Sequence, residues 1–593
     1  MSKAVSKGVA GSLVALVFFL VLMVGSSVFA EDLKPEIEQA LSVGDTTLAI
    51  DLLREQMELD RGYHYNYYIL GRIFYKQERY EDAKKQFATA LDKKGKHWES
   101  MYYLGLTEMK LGDLEEAEEL MEKGQKKAKD EAHMFHNGMG LVLMAKENYV
   151  EADRAFRLAL VDRPDKAEYH VNLGDANFYQ GVPSLAILEY EKAIELDTAS
   201  LEVYYHWAEA CMEMRDYKCA IEKLQYVLSK DSGHAGSWQR AGQIYFKAAR
   251  SARTLGQRKD RYKDALGSYR KYLEISQVQP DSAHVRSYFE MAMAYLGLNG
   301  FEDAVTYFEH VLNIPYQPKD VYFYYGKALW GTQQYEEAAE ALQQHIDWVE
   351  QQDDDYVTNI SDEELYTLLG DSYYYRKPND FATAILYYNK AYEADSTNKR
   401  VVQNLGIANH AIRNFGKALH FYDKRIEMGV DEKTASVMKN AGSCALNIAN
   451  RESGAEDEVN IDDIDALDGM PAAPLANEYI DPEKDYYQVA VNYFDKYLEY
   501  VPDDAKYLEL AGQTALYQLS DCEQGVSYFQ KLLEVSPDNC VAKRSLGYAY
   551  FGGVCTKNYS RALRYLTDAY QCIANEKGEC GDVDLTLWIA QCY

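Results

Sequence analysis

Residues 64–97 read HYNYYILGRIFYKQERYEDAKKQFATALDKKGKH, and residues 98–131 read WESMYYLGLTEMKLGDLEEAEELMEKGQKKAKDE. Laid one above the other, these stretches of 34 residues put Gly71 over Gly105, Ala83 over Ala117 and Phe87 over Met121. The same columns run further. An alanine recurs at 49, 83, 117, 152, 186 and 220, and a glycine at 71, 105, 140 and 174, followed by Ala208 and Gly242. Four residues after each alanine stands a larger side chain: Leu53, Phe87, Met121, Phe156, Tyr190 and Leu224. A fixed period of this length marks a stack of supersecondary units. Within each half the apolar residues fall at i, i+3, i+4 and i+7, so each unit is a helical hairpin. The small residues let two antiparallel helices approach, and the large one fills the space beside them. Each hairpin leaves one apolar face uncovered and must stack on a neighbour.

Leu70-Gly71, Phe74, Ala83, Phe87 and Ala90 carry a recognisable pattern, as do Gly140, Ala152, Phe156, Ala159 and Pro164, and Leu173-Gly174, Ala186, Tyr190 and Ala193. This resembles the tetratricopeptide repeat. The resemblance implies an all-α fold, a right-handed superhelical solenoid of antiparallel hairpins whose first helices line the concave side. It also implies protein binding rather than catalysis.

The columns continue with interruptions. Gly242 pairs with Ala265, implying about eleven extra residues around Arg250 to Arg261. Ala292/Ala304/Phe308 and Gly326/Ala338/Leu342 follow, then a linker from Glu350 to Ile360 and a helix opened by Ser361-x-x-Glu364, a capping-box pattern. Gly370/Ala384/Tyr388, Gly406/Ala418/Tyr422, Gly442 with Ala490/Phe494, Gly512/Gly525/Phe529 and Gly547/Ala562/Leu566 complete the series. This predicts fourteen hairpins and a last single helix from Asp582 to Tyr593. The expected layout is an N-terminal array over 31–234, a central array over 235–449, an acidic insertion over 450–484 and cysteine-rich repeats over 485–593.

Met1 to Ala30 reads as an export signal. Lys3 and Lys7 precede an apolar stretch from Val9 to Val24, and small residues lead to Ala30. An uncleaved anchor is the alternative, and the absence of a nearby cysteine excludes a lipoprotein signal. Either way the expected location is the periplasm or cell envelope, or outside the cell. The chain of 593 residues has 63 basic and 94 acidic residues, a formal net charge of −31. Such a field repels phosphate backbones and argues against nucleic-acid partners. Its 52 tyrosines against 19 phenylalanines suit half-buried faces with polar tips.

The insertion contains Glu456-Asp457-Glu458, Asp462-Asp463, Asp465 and Asp468-Gly469, and reads as an exposed acidic loop. Its acids are misplaced for a calcium loop. Of nine cysteines, six fall in the last 72 residues. Export makes disulfides plausible. Hairpin geometry suggests Cys522 with Cys555 on one edge, Cys572 with Cys580 across a connection on the other, and Cys211 with Cys219 about one turn. Cys444 is expected to be buried. No cysteine or histidine spacing suggests zinc, and His133 and His136 read as ordinary helix residues.

The sequence holds no phosphate-binding glycine loop, nucleophile elbow or H-E-x-x-H, so no catalytic residue and no cofactor is expected. The resemblance places positions two, five, nine and twelve of each repeat on the concave side. In the N-terminal array these include Tyr65, Tyr68, Tyr75, Tyr102, Met109, Met134, Leu141, Met144, Phe178, Tyr205 and Met212, an aromatic and methionine stripe. Some family members clamp a peptide carboxylate with an asparagine at position nine. Here that position holds Arg72, Leu106, Leu141, Asp175 and Glu209, so the clamp is not carried over. The expected partners are proteins or extended peptide segments, with membrane contact only through an uncleaved N-terminus. The alternative is an envelope polysaccharide.

Overall fold

The computed structural model describes residues 33–197, 200–277, 284–315, 318–352, 357–429, 431, 433–454, 479–552, 554–577 and 583–593. The export signal and Cys580 lie outside these residues, as do residues 455–478 of the acidic insertion expected over 450–484.

The described chain forms two compact units, one reaching Lys247 and including Gly267–Gln277, the other holding the remainder. Unit 1 opens with α1 (Lys34–Ser42) and α2 (Thr46–Leu59), then α3 (His64–Lys76) and α4 (Tyr80–Lys93). Next come α5 (Trp98–Leu111) with α6 (Leu114–Ala128), and α7 (Ala132–Ala145) with α8 (Tyr149–Asp162). α9 (Ala167–Tyr179) pairs with α10 (Pro183–Leu196), and α11 (Leu201–Glu213) with α12 (Tyr217–Lys230). The seventh hairpin, α13 (Ala235–Arg250) and α14 (Leu255–Ser276), supplies residues to both units. The extra residues expected near 250–261 lengthen its helices, and Gly242 still faces the aromatic four places after Ala265, Tyr269.

Unit 2 continues with α15 (Val285–Gly297) and α16 (Phe301–Leu312), then α17 (Val321–Gly331) and α18 (Tyr335–Glu350). α19 (Asp362–Tyr375) pairs with α20 (Phe381–Ala394), and α21 (Lys399–Ala411) with α22 (Phe415–Glu427). α23 (Thr434–Ser453) meets α24 (Tyr486–Tyr500) across the insertion. α25 (Ala505–Gln513), extended by a π turn, pairs with α26 (Cys522–Val535), and α27 (Cys540–Gly552) with α28 (Tyr559–Lys577). α29 (Val583–Cys592) ends the series, giving fourteen hairpins and one helix among the described residues.

Burial separates the two helices of a hairpin. α4 buries only Ala83, Phe87 and Ala90, a stripe with charged residues around it. α3 buries Asn66, Tyr68, Ile69, Leu70, Gly71, Ile73 and Phe74, covered on most sides. The cause is stacking. In unit 1, α3, α5, α7, α9 and α11 each pack on the next of their set, so the first helices form the tight inner side.

The column chemistry is visible at each approach. A Cβ on Gly71 would stand 2.6 Å from the Phe87 ring, and one on Gly140 would stand 2.3 Å from Phe156. Phe87, Phe156 and Phe308 are fully buried, as are the column alanines. The turn between helices is equally regular. Its residue adopts positive φ at Glu78, Gly112, Glu147, Gly181, Arg215, Asn299, Gln333 and Arg413. Asp113, Asn148 and Asp216 then cap the second helix through a side-chain oxygen.

Among the described residues three disulfides are present. Cys211 joins Cys219, and Cys522 joins Cys555. The expected Cys572–Cys580 pair is corrected: Cys572 is bonded to Cys540. α28 runs on to Lys577, so Cys572 lies inside the helix rather than beside the next connection, antiparallel to α27 and opposite its first residue. Cys444 and Cys592 are free thiols, the former buried.

Candidate functional site

The inner side of unit 1 carries the stripe, and its members differ in how far they are covered. Tyr68 is only 7% exposed, ringed by Phe87, His97 and Tyr103. Its phenol is pushed up to about 12, chiefly by burial. It is a packing residue. Tyr65, Tyr75, Tyr102, Met109, Met134, Leu141, Met144, Phe178, Tyr205 and Met212 are all half-buried, with none fully covered and none fully exposed. Tyr102 leans on Phe135 at 5.6 Å, and Tyr205 lies 5.0 Å from the His234 ring. The row is a semi-rigid apolar surface spread over α3, α5, α7, α9 and α11.

Polar groups are interleaved with it and largely consumed by one another. Asp175 accepts hydrogen bonds from Tyr190 Oη (2.8 Å) and His206 Nδ1 (2.7 Å). Burial lowers the His206 pKa, but the Asp175 hydrogen bond and charge, with Glu202 and Glu209, outweigh it and raise the value above the ordinary. Arg240 donates to Glu209 Oε1 through Nε (2.9 Å) and Nη2 (2.6 Å). The position-nine residues Asp175 and Glu209 thus tie successive first helices together. Arg72 instead lies over the Tyr68 and Tyr103 rings at 5.5 and 5.3 Å. His133 is buried against Tyr169 Oη (2.8 Å) and Glu131 Oε2 (2.9 Å).

A cavity of 340 Å³ opens at the start of unit 1, lined in part by Ile37, Leu53, Tyr65, Asn66 and Arg72. Asn66 Nδ2 and Arg72 Nε are buried there without a hydrogen-bond partner.

A second cavity of 340 Å³ lies in unit 2, and of its lining residues only Glu364 carries a sequence expectation, as part of the capping box. They occupy the same register. Lys327 and Trp330 stand at positions nine and twelve of one repeat, Glu364, Thr367 and Asp371 at two, five and nine of the next, and Arg400 at two of the third. Counting the inner positions past the irregular link near 250 would have found them. Lys327 Nζ donates to Glu364 Oε1 (2.6 Å), and Arg400 pairs with Asp371. Asp371 also accepts from Tyr388 Oη (2.8 Å) and Asn404 Nδ2 (3.1 Å). Burial raises the Asp371 carboxyl to about 6, with Arg400, Tyr388 and Asn404 opposing the shift.

Among the described residues no group of three or more histidine, cysteine or acidic side chains could hold a metal, and no helix is long and apolar enough to cross a membrane. No curated protein matches the chain. Among solved structures, similar chains include MamA, at 22% identity over 34% of this chain and 93% of that one, TM-score 0.26. Pseudomonas aeruginosa PilF is 19% identical over 38% and 96%, TM-score 0.31. A chain of the APC/C hetero-tetramer Cut9-Hcn1 is 12% identical over 94% and 95%, TM-score 0.31. Scores of this size carry no assignment. The family model for the tetratricopeptide repeat does, matching residues 68–132, 137–200 and 289–355. Over those segments the hairpins are tetratricopeptide repeats.

Proposed function

We propose that this chain is a non-catalytic docking scaffold, exported to the cell envelope or beyond, whose unit 1 gathers extended segments of partner proteins within an assembly or export machine. One observation carries the reading: half-buried tyrosine, methionine and phenylalanine side chains recur along the inner side of five successive first helices. Such side chains offer large contact area at low entropic cost and adapt to varied partners. The three disulfides suit an oxidising compartment, which supports export.

Site-directed photo-crosslinking in native extracts tests it. A crosslinking side chain at Met109 or Met144 on the inner side is expected to trap protein, whereas one at the exposed Leu158 or Leu188 of the second helices is not. Crosslinks only from the outer positions would overturn the docking face. Adducts made of glycan rather than protein would favour a polysaccharide ligand. Fractionation of the native cells checks export.

A further inference from the structure

The unit 2 cavity has a charge arrangement that selects its occupant. Its lining holds three carboxylates, Glu363, Glu364 and Asp371, and two cations, Lys327 and Arg400. Both cations are already engaged, Lys327 by Glu364 and Arg400 by Asp371. Glu363 is different. It accepts only from neutral donors, Thr367 Oγ1 (3.3 Å) and Asn398 Nδ2, and both bonds fall on Oε1. Among the described residues its Oε2 has no partner and the carboxylate has no ion pair. A half-buried anion without a counter-ion is the least balanced group in the lining.

Two further features restrict what would fit. Trp330 contributes its indole to the lining, with the Arg400 guanidinium 5.8 Å from the ring centroid. Leu296, Phe301 and Leu368 supply an apolar wall. An anionic group entering here would meet a net negative lining and would have to break an existing pair to find a cation. A cation meets Glu363 directly, and a long aliphatic stem suits the wall.

We propose that this cavity receives a single lysine or arginine side chain of a docked extended segment, its charged head on Glu363 and its stem along Trp330 and Leu368. The proposal rests on the reading of the inner sides as docking faces for protein segments and names what unit 2 recognises. The formal charge of −31 works in the same direction, drawing basic segments toward the chain.

The test uses the full chain and blocked pentapeptides, alanine throughout except for a central lysine, arginine, norleucine or glutamate. A carbodiimide, which joins an amine to a carboxylate in contact with it, is added to the lysine peptide and the adduct is mapped by mass spectrometry. Coupling is expected at Glu363 above all other carboxylates, competed by the arginine peptide and not by the norleucine or glutamate peptides. Glu363→Gln keeps the acceptor for Thr367 and Asn398, so it is expected to fold and to lower peptide capture about tenfold. Coupling scattered over surface carboxylates, or capture unchanged in Glu363→Gln, would overturn the proposal. Equal competition by the norleucine peptide would overturn it as well. If Met109 and Met144 still trap protein while Glu363 takes no lysine, the cation site fails and the docking reading stands. If neither reacts, both fall.

Discussion

Along unit 1 the inner positions carry Tyr65, Tyr75, Tyr102, Met109, Met144 and Phe178, while in unit 2 the corresponding positions carry Lys327, Trp330, Glu364, Asp371 and Arg400. The columns beneath them do not change: Gly140 faces Phe156 in the first unit as Gly370 faces Tyr388 in the second. One module therefore carries two sets of residues, which meet where a column tyrosine reaches an inner carboxylate, Tyr190 on Asp175 and Tyr388 on Asp371. The buried set fixes how hairpins stack, and the lining set changes from apolar to charged around the same columns.

The shared columns predict losses of the same order, with Tyr388 the larger because its hydroxyl also donates to the buried Asp371. Phe156→Ala and Tyr388→Ala should each cost about 3–5 kcal/mol, read as lost hydrogen-exchange protection in the affected hairpin and its immediate neighbours. A tolerated substitution in one unit would show that the columns are not equivalent. The disulfides sharpen the contrast next. Replacing Cys540 and Cys572 by serine should cost roughly 3–4 kcal/mol, and replacing Cys211 and Cys219 roughly 2–3 kcal/mol, because the longer loop constrains the unfolded chain more. Chemical denaturation in paired variants measures both.

The buried carboxylate of unit 2 gives a pH signature that the apolar stripe of unit 1 does not. Asp371 is raised from 3.8 to about 6, so between those values the folded chain holds more proton than the unfolded one. Stability then falls as pH rises from about 4 to about 6 and levels off above, a decline of roughly 3 kcal/mol. Asp371→Asn should remove that slope, seen as a flatter profile of denaturation midpoint against pH. An unchanged profile would refute the assignment. The smallest effect is expected at the turns, where Gly112 and Gly181 serve in unit 1 beside Glu147 and Arg215. Glu147→Gly should gain about 0.5 kcal/mol, the relief of positive φ being partly offset by backbone entropy.

The repeat architecture was legible because Gly71, Ala83 and Phe87 are chosen by contact: a methyl at Gly71 would collide with Phe87, so the column cannot drift. Lining residues obey no such constraint: register locates the place of Lys327 but not its chemistry, and Glu363, at position one, falls outside the inner positions. The capping pattern at Ser361 was half realised. Ser361 Oγ accepts from Glu364 N at 3.1 Å, but the Glu364 carboxylate turns to Lys327 instead of closing the box. A partner from another helix outcompeted the local one, and sequence spacing does not report that. The Cys540–Cys572 bond was missed for a related reason, since it depends on where α28 ends. The stripe was read by register alone, which cannot tell Tyr68, sealed among rings, from Met109, half open.

Cys444 sits in α23 with none of its surface exposed, and burial, aided by Asp423, lifts its thiol well above the ordinary range. A water-borne alkylating reagent can reach that sulfur only when the hairpin of α23 and α24 comes apart. The residue is thus a built-in clock: its labelling rate counts spontaneous openings in the middle of unit 2, with the half-exposed Cys592 as the fast reference hand.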